Sequence, residues 1–200
     1  MVVLFGAILA GYVLGALPFG YLAGRLRGIN IMEIGSGNIG ATNVLRTLGP
    51  VWAVVVLLLD AGKGALSAYL GWHLFSAYPH WGAVAGGGAA LMGHTWSLFL
   101  GLRGGKGAAT GAGVALFLVP EVTVIALVIF ILTIALTRYV SLGSLMGAVS
   151  AMIGVLIMPT ASAYQILILI GGTLIIYRHR SNIRRLLAGT ESRLGERDVR

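Results

Sequence analysis

Seven apolar segments, near residues 2–24, 51–73, 81–100, 107–119, 121–137, 142–158 and 161–177, take up most of this 200-residue chain. A helix that crosses a bilayer needs about 20 residues, so each segment is a candidate span. With 58% hydrophobic and only 10% charged residues, nothing is left over for a separate soluble catalytic domain. The expected fold is an all-α integral membrane protein, residues 1–200 forming a single transmembrane domain, with any chemistry confined to loops and helix ends. The first segment lacks a basic leader and runs straight into Pro18 and Gly20, so it reads as a retained span and not as a cleaved signal peptide.

The stretch 107–137 is too long for one helix, and Pro120-Glu121 in its middle supplies a turn at a membrane face. Charge decides the count. With that turn there are seven spans, and Arg25, Arg27, Arg46, Arg103, Lys106, Arg138 and the arginines from Arg178 to Arg200 share one face. Those are 13 of the 14 basic residues, with only Lys63 inside a span. Without the turn, Arg138 and the tail would fall on the opposite face, against the positive-inside bias. This arrangement predicts an N-terminus outside, a C-terminus in the cytoplasm, and a short fourth helix, about 20 Å long, with its Lys106 end recessed. The net charge of +8 then reports topology and not nucleic-acid binding. The absence of cysteine excludes a disulfide framework, a thiolate metal site and a cysteine acyl intermediate. Many of the 31 glycines fall within spans, where small residues such as Gly143 and Gly147 allow close helix approach.

The first inner loop, residues 25–50, contains Glu33-Ile34-Gly35-Ser36-Gly37-Asn38-Ile39-Gly40-Ala41-Thr42-Asn43-Val44-Leu45-Arg46. Glycines 35, 37 and 40 allow backbone N–H groups to turn toward one point, and the run to Arg46 reads as helix, a grammar for cradling an anion. The spacing G-x-G-x-x-G copies a dinucleotide fingerprint, but no strand precedes it and no βαβ unit fits here. A serine-nucleophile elbow fails too, because position 34 is Ile. A Ser36 hydroxyl that donates to an anion is the better reading, against a plain tight turn capped by Ser36.

The second loop, residues 101–110, reads Gly101-Leu102-Arg103-Gly104-Gly105-Lys106-Gly107-Ala108-Ala109-Thr110. Gly107 stands where a Walker A loop needs Ser or Thr, so the magnesium hydroxyl is missing, which argues against an NTPase. What remains is a lysine at a helix mouth, framed by glycine amides that suit phosphate. Upstream, His94 is followed by Phe99 where an H-x-x-x-x-D acyltransferase dyad would have its carboxylate. His94 is expected to be a packed, hydrogen-bonded histidine. In the third loop, residues 178–191, helical spacing puts His179, Asn182, Ile183 and Leu186 on one inward face. Arg178, Arg180 and Arg184 would then turn toward anionic headgroups, and Gly189 would end the helix. Asp60 and Lys63, three apart within a span, are expected to pair in a structural or supporting role.

Together, Gly35-Ser36-Gly37-Asn38-Ile39-Gly40-Ala41-Thr42-Asn43 with Arg46, Gly93-His94 through Gly104-Gly105-Lys106-Gly107, and His179-x-x-Asn182-Ile183-x-Arg185-Leu186-x-x-Gly189-x-Glu191 resemble the three motifs of the bacterial acyl-phosphate:glycerol-3-phosphate acyltransferases. The resemblance covers nearly the whole chain. Ile39 stands where that family often has Pro and Ala108 where it often has Val. It implies a seven-span enzyme of the bacterial inner membrane, its site facing the cytoplasm. Such an enzyme moves an acyl group from long-chain acyl phosphate to the sn-1 hydroxyl of glycerol 3-phosphate, with no cofactor and no metal. Acyl carrier protein and coenzyme A would not be donors; membrane lipids would surround it. Carried over by position, Ser36, Arg46, Lys106, His179 and Asn182 are the catalytic set. Gly35, Gly37, Asn38, Gly40, Thr42, Asn43, Gly104, Gly105, Gly107 and Arg185 are the phosphate-binding set. An anion transporter or channel would also be basic and glycine-rich. Transporters, however, usually carry internal repeats and a midplane site, whereas here the outer loop 74–80 has no Lys or Arg.

Overall fold

The computed structural model describes residues 2–195. Among them the regular structure is helical: α1 (Val2–Ala16), α2 (Phe19–Leu26), α3 (Ala41–Leu48), α4 (Pro50–Leu74), α5 (Pro79–Thr95), a 3-10 turn (Leu98–Leu100), α6 (Ala108–Leu118), α7 (Pro120–Thr137), α8 (Val140–Ile157), α9 (Ser162–Arg178) and α10 (Arg180–Leu187). Each apolar segment contains helix. Proline does much of the punctuation. Pro50, Pro79 and Pro120 open α4, α5 and α7, where a missing N–H costs nothing. Pro18 instead breaks the first segment into α1 and α2, since it removes a donor and disfavours helical backbone at Leu17. The third segment, expected to run to residue 100, stops as α-helix at Thr95. Beyond it the backbone turns back, and the Ser97 N–H bonds to the Arg103 carbonyl (3.1 Å).

The stretch Val2–Leu26 and helices α4, α7 and α8 are long and apolar enough to cross a membrane, and α6 and α9 are shorter apolar helices. Large apolar side chains such as Leu57, Leu58, Ile131 and Leu132 face outward. Such faces suit hydrocarbon and not water, so the chain is a multi-pass membrane protein.

The chain divides into two compact units, Met1–Phe117 and Leu118–Arg200. In the first, α1 and α4 both pack on α5, backbone against backbone. A Cβ on Gly11 would strike the Gly86 carbonyl, and one on Gly71 the Gly82 carbonyl. Beneath the first loop, Ala23, Ile31, Ile39, Val44, Ala53 and Val56 form an apolar floor. In the second unit, α8 packs on α7 and α9. The expected close approach at Gly143 is present, with a Cβ there 3.0 Å from the Phe130 carbonyl. Arg197 and Arg200, counted above among the inner-face arginines, lie outside the described residues.

Candidate active site

The first loop is organised around one side chain. Asn43, in the first turn of α3, is only 1% exposed. Its Nδ2 donates to the carbonyls of Ile31 (3.1 Å), Ile34 (3.1 Å) and Asn38 (2.9 Å), and its Oδ1 accepts the Ser36 N–H (2.9 Å). This closeness requires glycine at position 35. Gly35 has a left-handed φ of +61°, and a Cβ there would overlap Asn43 Oδ1. The Gly37 N–H bonds to the Ile34 carbonyl (3.1 Å) and the Gly40 N–H to Asn38 Oδ1 (2.9 Å).

These bonds correct the expected anion nest, because the amides of Ser36, Gly37 and Gly40 serve the loop's own acceptors. They also recast Asn43 and Asn38. Both are expected to touch phosphate; here Asn43 engages its whole side-chain amide, and Asn38 its Oδ1, with the loop's own backbone. Ser36 remains exposed at the rim. Thr42 and Arg46, half-buried and four residues apart on α3, share a face.

The second loop presses onto the end of α5. The Gly105 N–H donates to the His94 carbonyl (3.0 Å), so this amide is likewise not a bare donor. A Cβ on Gly104 would strike the His94 and Thr95 carbonyls, and one on Gly105 would strike the His94 ring. Gly107, with φ +85°, makes the turn into α6, and its carbonyl accepts the Gly111 N–H (2.7 Å). Lys106 is thus set half-buried at the mouth of that helix, as expected.

Below the loops lie three buried ionisable side chains. Lys63 Nζ is 2.7 Å from Asp60 Oδ1 and donates to the Leu17 carbonyl (2.7 Å), which the Pro18 break leaves available. The expected Asp60–Lys63 pair is therefore formed. His94 Nδ1 adds a contact of 3.6 Å to the same carboxylate oxygen.

In the second unit, His179 closes α9 and its ring is buried, with Nδ1 2.8 Å from the Ile175 carbonyl. A carbonyl only accepts, so Nδ1 carries a proton, and the neutral form of this ring has its lone pair on Nε2. Asn182, Ile183 and Leu186 turn inward with it. Arg180 and Arg184 are exposed, but Arg178 is half-buried and its Nε is covered, a correction to its expected outward direction.

Asn182 Nδ2 and Arg185 Nε each donate to Glu191, both at 2.6 Å. Burial alone would raise the Glu191 carboxyl, but the neighbouring Ser141 hydroxyl, the hydrogen bonds from Asn182 and Arg185 and the Arg185 charge hold it below the ordinary carboxylate value. The chain reaches Glu191 through a reversal at Gly189 (φ +68°), where the Thr190 N–H bonds to the Arg185 carbonyl (2.8 Å) and the Gly189 N–H to that of Leu186 (3.2 Å). Glu191 stands outside the expected site residues; its signal in the sequence is its place in the third motif, two residues after the helix-ending glycine. Among the described residues no three His, Asp or Glu side chains gather as a metal site.

The family described as glycerol-3-phosphate acyltransferase matches residues 5–189. A protein of that name from Synechococcus sp. (strain CC9902) is 47% identical over 94% of this chain and 93% of its own length. One from Symbiobacterium thermophilum is 41% identical over 98% of this chain and 96% of its own. Two crystal structures of PlsY (YgiH), an integral membrane glycerol 3-phosphate acyltransferase, superpose with TM-scores of 0.90 for its glycerol 3-phosphate form and 0.88 for its lysophosphatidic acid form. Both are 35% identical and cover 96% of this chain, and this chain spans 96% and 95% of theirs.

Proposed function

The chain belongs to the glycerol-3-phosphate acyltransferase family, and from that membership we propose that it transfers a fatty acyl group from acyl phosphate to the sn-1 hydroxyl of glycerol 3-phosphate. The products are lysophosphatidic acid and inorganic phosphate. The observation that carries this reading is the likeness, over nearly the whole chain, to a structure in a glycerol 3-phosphate form and one in a lysophosphatidic acid form.

Acyl phosphate is a mixed anhydride and already activated. The acceptor hydroxyl oxygen attacks the acyl carbon, the bond from that carbon to the phosphate oxygen breaks, and the hydroxyl proton leaves to a base. The difficulty is the repulsion between two phosphates. Arg46 and Lys106 offset it, and Ser36 and Thr42 add hydroxyl donors, so the protein acts by orientation and charge. His179 Nε2 or an oxygen of the departing phosphate takes the proton. Arg185 binds phosphate with the part of its guanidinium that Glu191 leaves over, and Asn182 contacts substrate through its amide oxygen. Gly35, Gly37, Gly40, Gly104, Gly105 and Gly107 give the backbone its close approach; Asn38 and Asn43 shape the loop.

The seven helices α1–α2, α4, α5, α6, α7, α8 and α9 all span, with the C-terminus and the motif loops on the cytoplasmic side of the inner membrane. A cysteine introduced at Ala188 should resist an impermeant thiol reagent applied to intact cells; labelling without lysis would overturn this orientation. The reaction itself is tested by supplying purified protein with labelled acyl phosphate and glycerol 3-phosphate and chromatographing the lipid. Lysophosphatidic acid should form from acyl phosphate, and its absence would reject the reading.

A further inference from the structure

The proposed chemistry gives no task to the buried group Asp60, Lys63 and His94, which are 2%, 5% and 3% exposed. An ion pair at membrane depth needs only its two members to be tolerated. This one reaches further in both directions. Lys63 also holds the Leu17 carbonyl, fixing the break between α1 and α2. Gly20, just past that break, lies so close to the Ile39 carbonyl that a Cβ would overlap it, and Ile39 belongs to the first glycine-rich loop. On the other side His94 faces Asp60 with Nδ1, at 3.6 Å an electrostatic contact longer than a hydrogen bond. The far edge of the same ring lies where a Cβ on Gly105 would be, and its backbone carbonyl accepts the Gly105 N–H. Two further bonds fasten the same junction. Ser97 Oγ donates to the Ala16 carbonyl (2.6 Å) and the Tyr12 hydroxyl to that of Trp96 (2.8 Å).

We propose that Asp60, Lys63 and His94 are positioning residues that hold the first and second glycine-rich loops in one register, setting how phosphate groups meet Arg46 and Lys106 without touching substrate themselves. The chain of contacts runs from Ile39 through Gly20 and Leu17 to Lys63, then through Asp60 and His94 to Gly105. Every link is backbone or a buried side chain, so a shift at one end has few soft places in which to dissipate. The inference rests on reading these two loops as phosphate sites.

The test is steady-state kinetics on the full chain, with glycerol 3-phosphate and acyl phosphate each titrated, for His94→Asn, Gly105→Ala and the two combined. His94→Asn keeps a polar atom toward Asp60 and removes the ring edge under Gly105. It should raise KM for at least one phosphate substrate about tenfold while kcat stays within about threefold. Gly105→Ala should do comparable damage, because its methyl meets the ring. The combination should be at least about threefold better than the product of the two single effects, since the shortened side chain makes room. Asp60→Asn with Lys63→Met removes both charges at similar volume and should raise KM in the same way. Unchanged KM in the folded variants, or single effects that simply multiply, would overturn the proposal. So would loss of folded protein in every variant, which would assign the cluster to stability alone. A wild type that forms no lysophosphatidic acid would instead reject the underlying reaction, so the two failures are distinguishable.

Discussion

Two polar hubs organise the motif-bearing segments, and they work by different physics. In the first unit Asn43, a neutral amide, spends all four of its described bonds on backbone of its own loop. In the second unit Glu191, a carboxylate, receives side chains from α10, those of Asn182 and Arg185. The amide defines a path for the chain and has no charge to lose. The carboxylate fixes the direction of the Asn182 and Arg185 side chains and depends on its ionisation. A loop that must keep one shape at any pH is served by the first device; a pair of side chains that must be aimed is served by the second.

The largest test of this contrast is Asn43→Asp. The two side chains have nearly the same shape, but the carboxylate would point an acceptor at three carbonyls. Loss of its two N–H donors, which three carbonyls share, at about 1 kcal/mol each, and the repulsion that follows should destabilise the first loop by about 2 kcal/mol or more. Transfer activity should fall at least about a hundredfold; an active Asn43→Asp enzyme would break the claim that Asn43 shapes the loop. Next come Arg46→Lys and Lys106→Arg. The first keeps charge and loses the planar fork; the second adds bulk between Gly105 and Gly107. Each should lower kcat/KM by at least about tenfold, roughly 1.4 kcal/mol, and wild-type rates in both would reduce these residues to topology signals.

Glu191→Gln should be milder at neutral pH, since the amide still fits, and it should alter the acid limb. The folded pKa of Glu191 is lowered. Its contribution to stability is therefore present above the unfolded value of about 4.3 and is lost as pH falls through the lower folded value. Thermal unfolding followed from neutral to acid pH should show a shallower decline for Glu191→Gln than for wild type, and parallel curves would remove Glu191 as a charged hub. The smallest effect belongs to Gly189→Ala. A methyl at φ +68° should cost about 1 kcal/mol and displace the turn that delivers Glu191, read as a small drop in melting temperature.

Much of this molecule was legible from hydropathy and proline placement, because a bilayer leaves few options for a chain of apolar segments. The helices over all seven segments, the short α6, the reversal at Gly189 and the Asp60–Lys63 pair followed from local pattern. What escaped depends on contacts remote in sequence. Asn43 in a polar glycine-rich run reads as a ligand until the positions of Ile31 and Asn38 are known. His94 is an isolated histidine until α5 is packed and its ring is found between Asp60 and Gly105. Glu191 becomes a hub only through the Gly189 turn, and Arg178 is half-buried because of its position at the end of α9.

On the proposed mechanism this protein transfers the acyl group directly, holding phosphates and forming no covalent bond to the chain. Purified wild type should be given labelled acyl phosphate, with and without glycerol 3-phosphate, then quenched and treated with hydroxylamine. Direct transfer puts label in lysophosphatidic acid only when the acceptor is present and none on the protein at any time. Ser36→Ala should still turn over, weakened by about 1–3 kcal/mol for one lost bond to a charged group. A hydroxylamine-sensitive acyl-protein that forms in wild type and disappears in Ser36→Ala would contradict it.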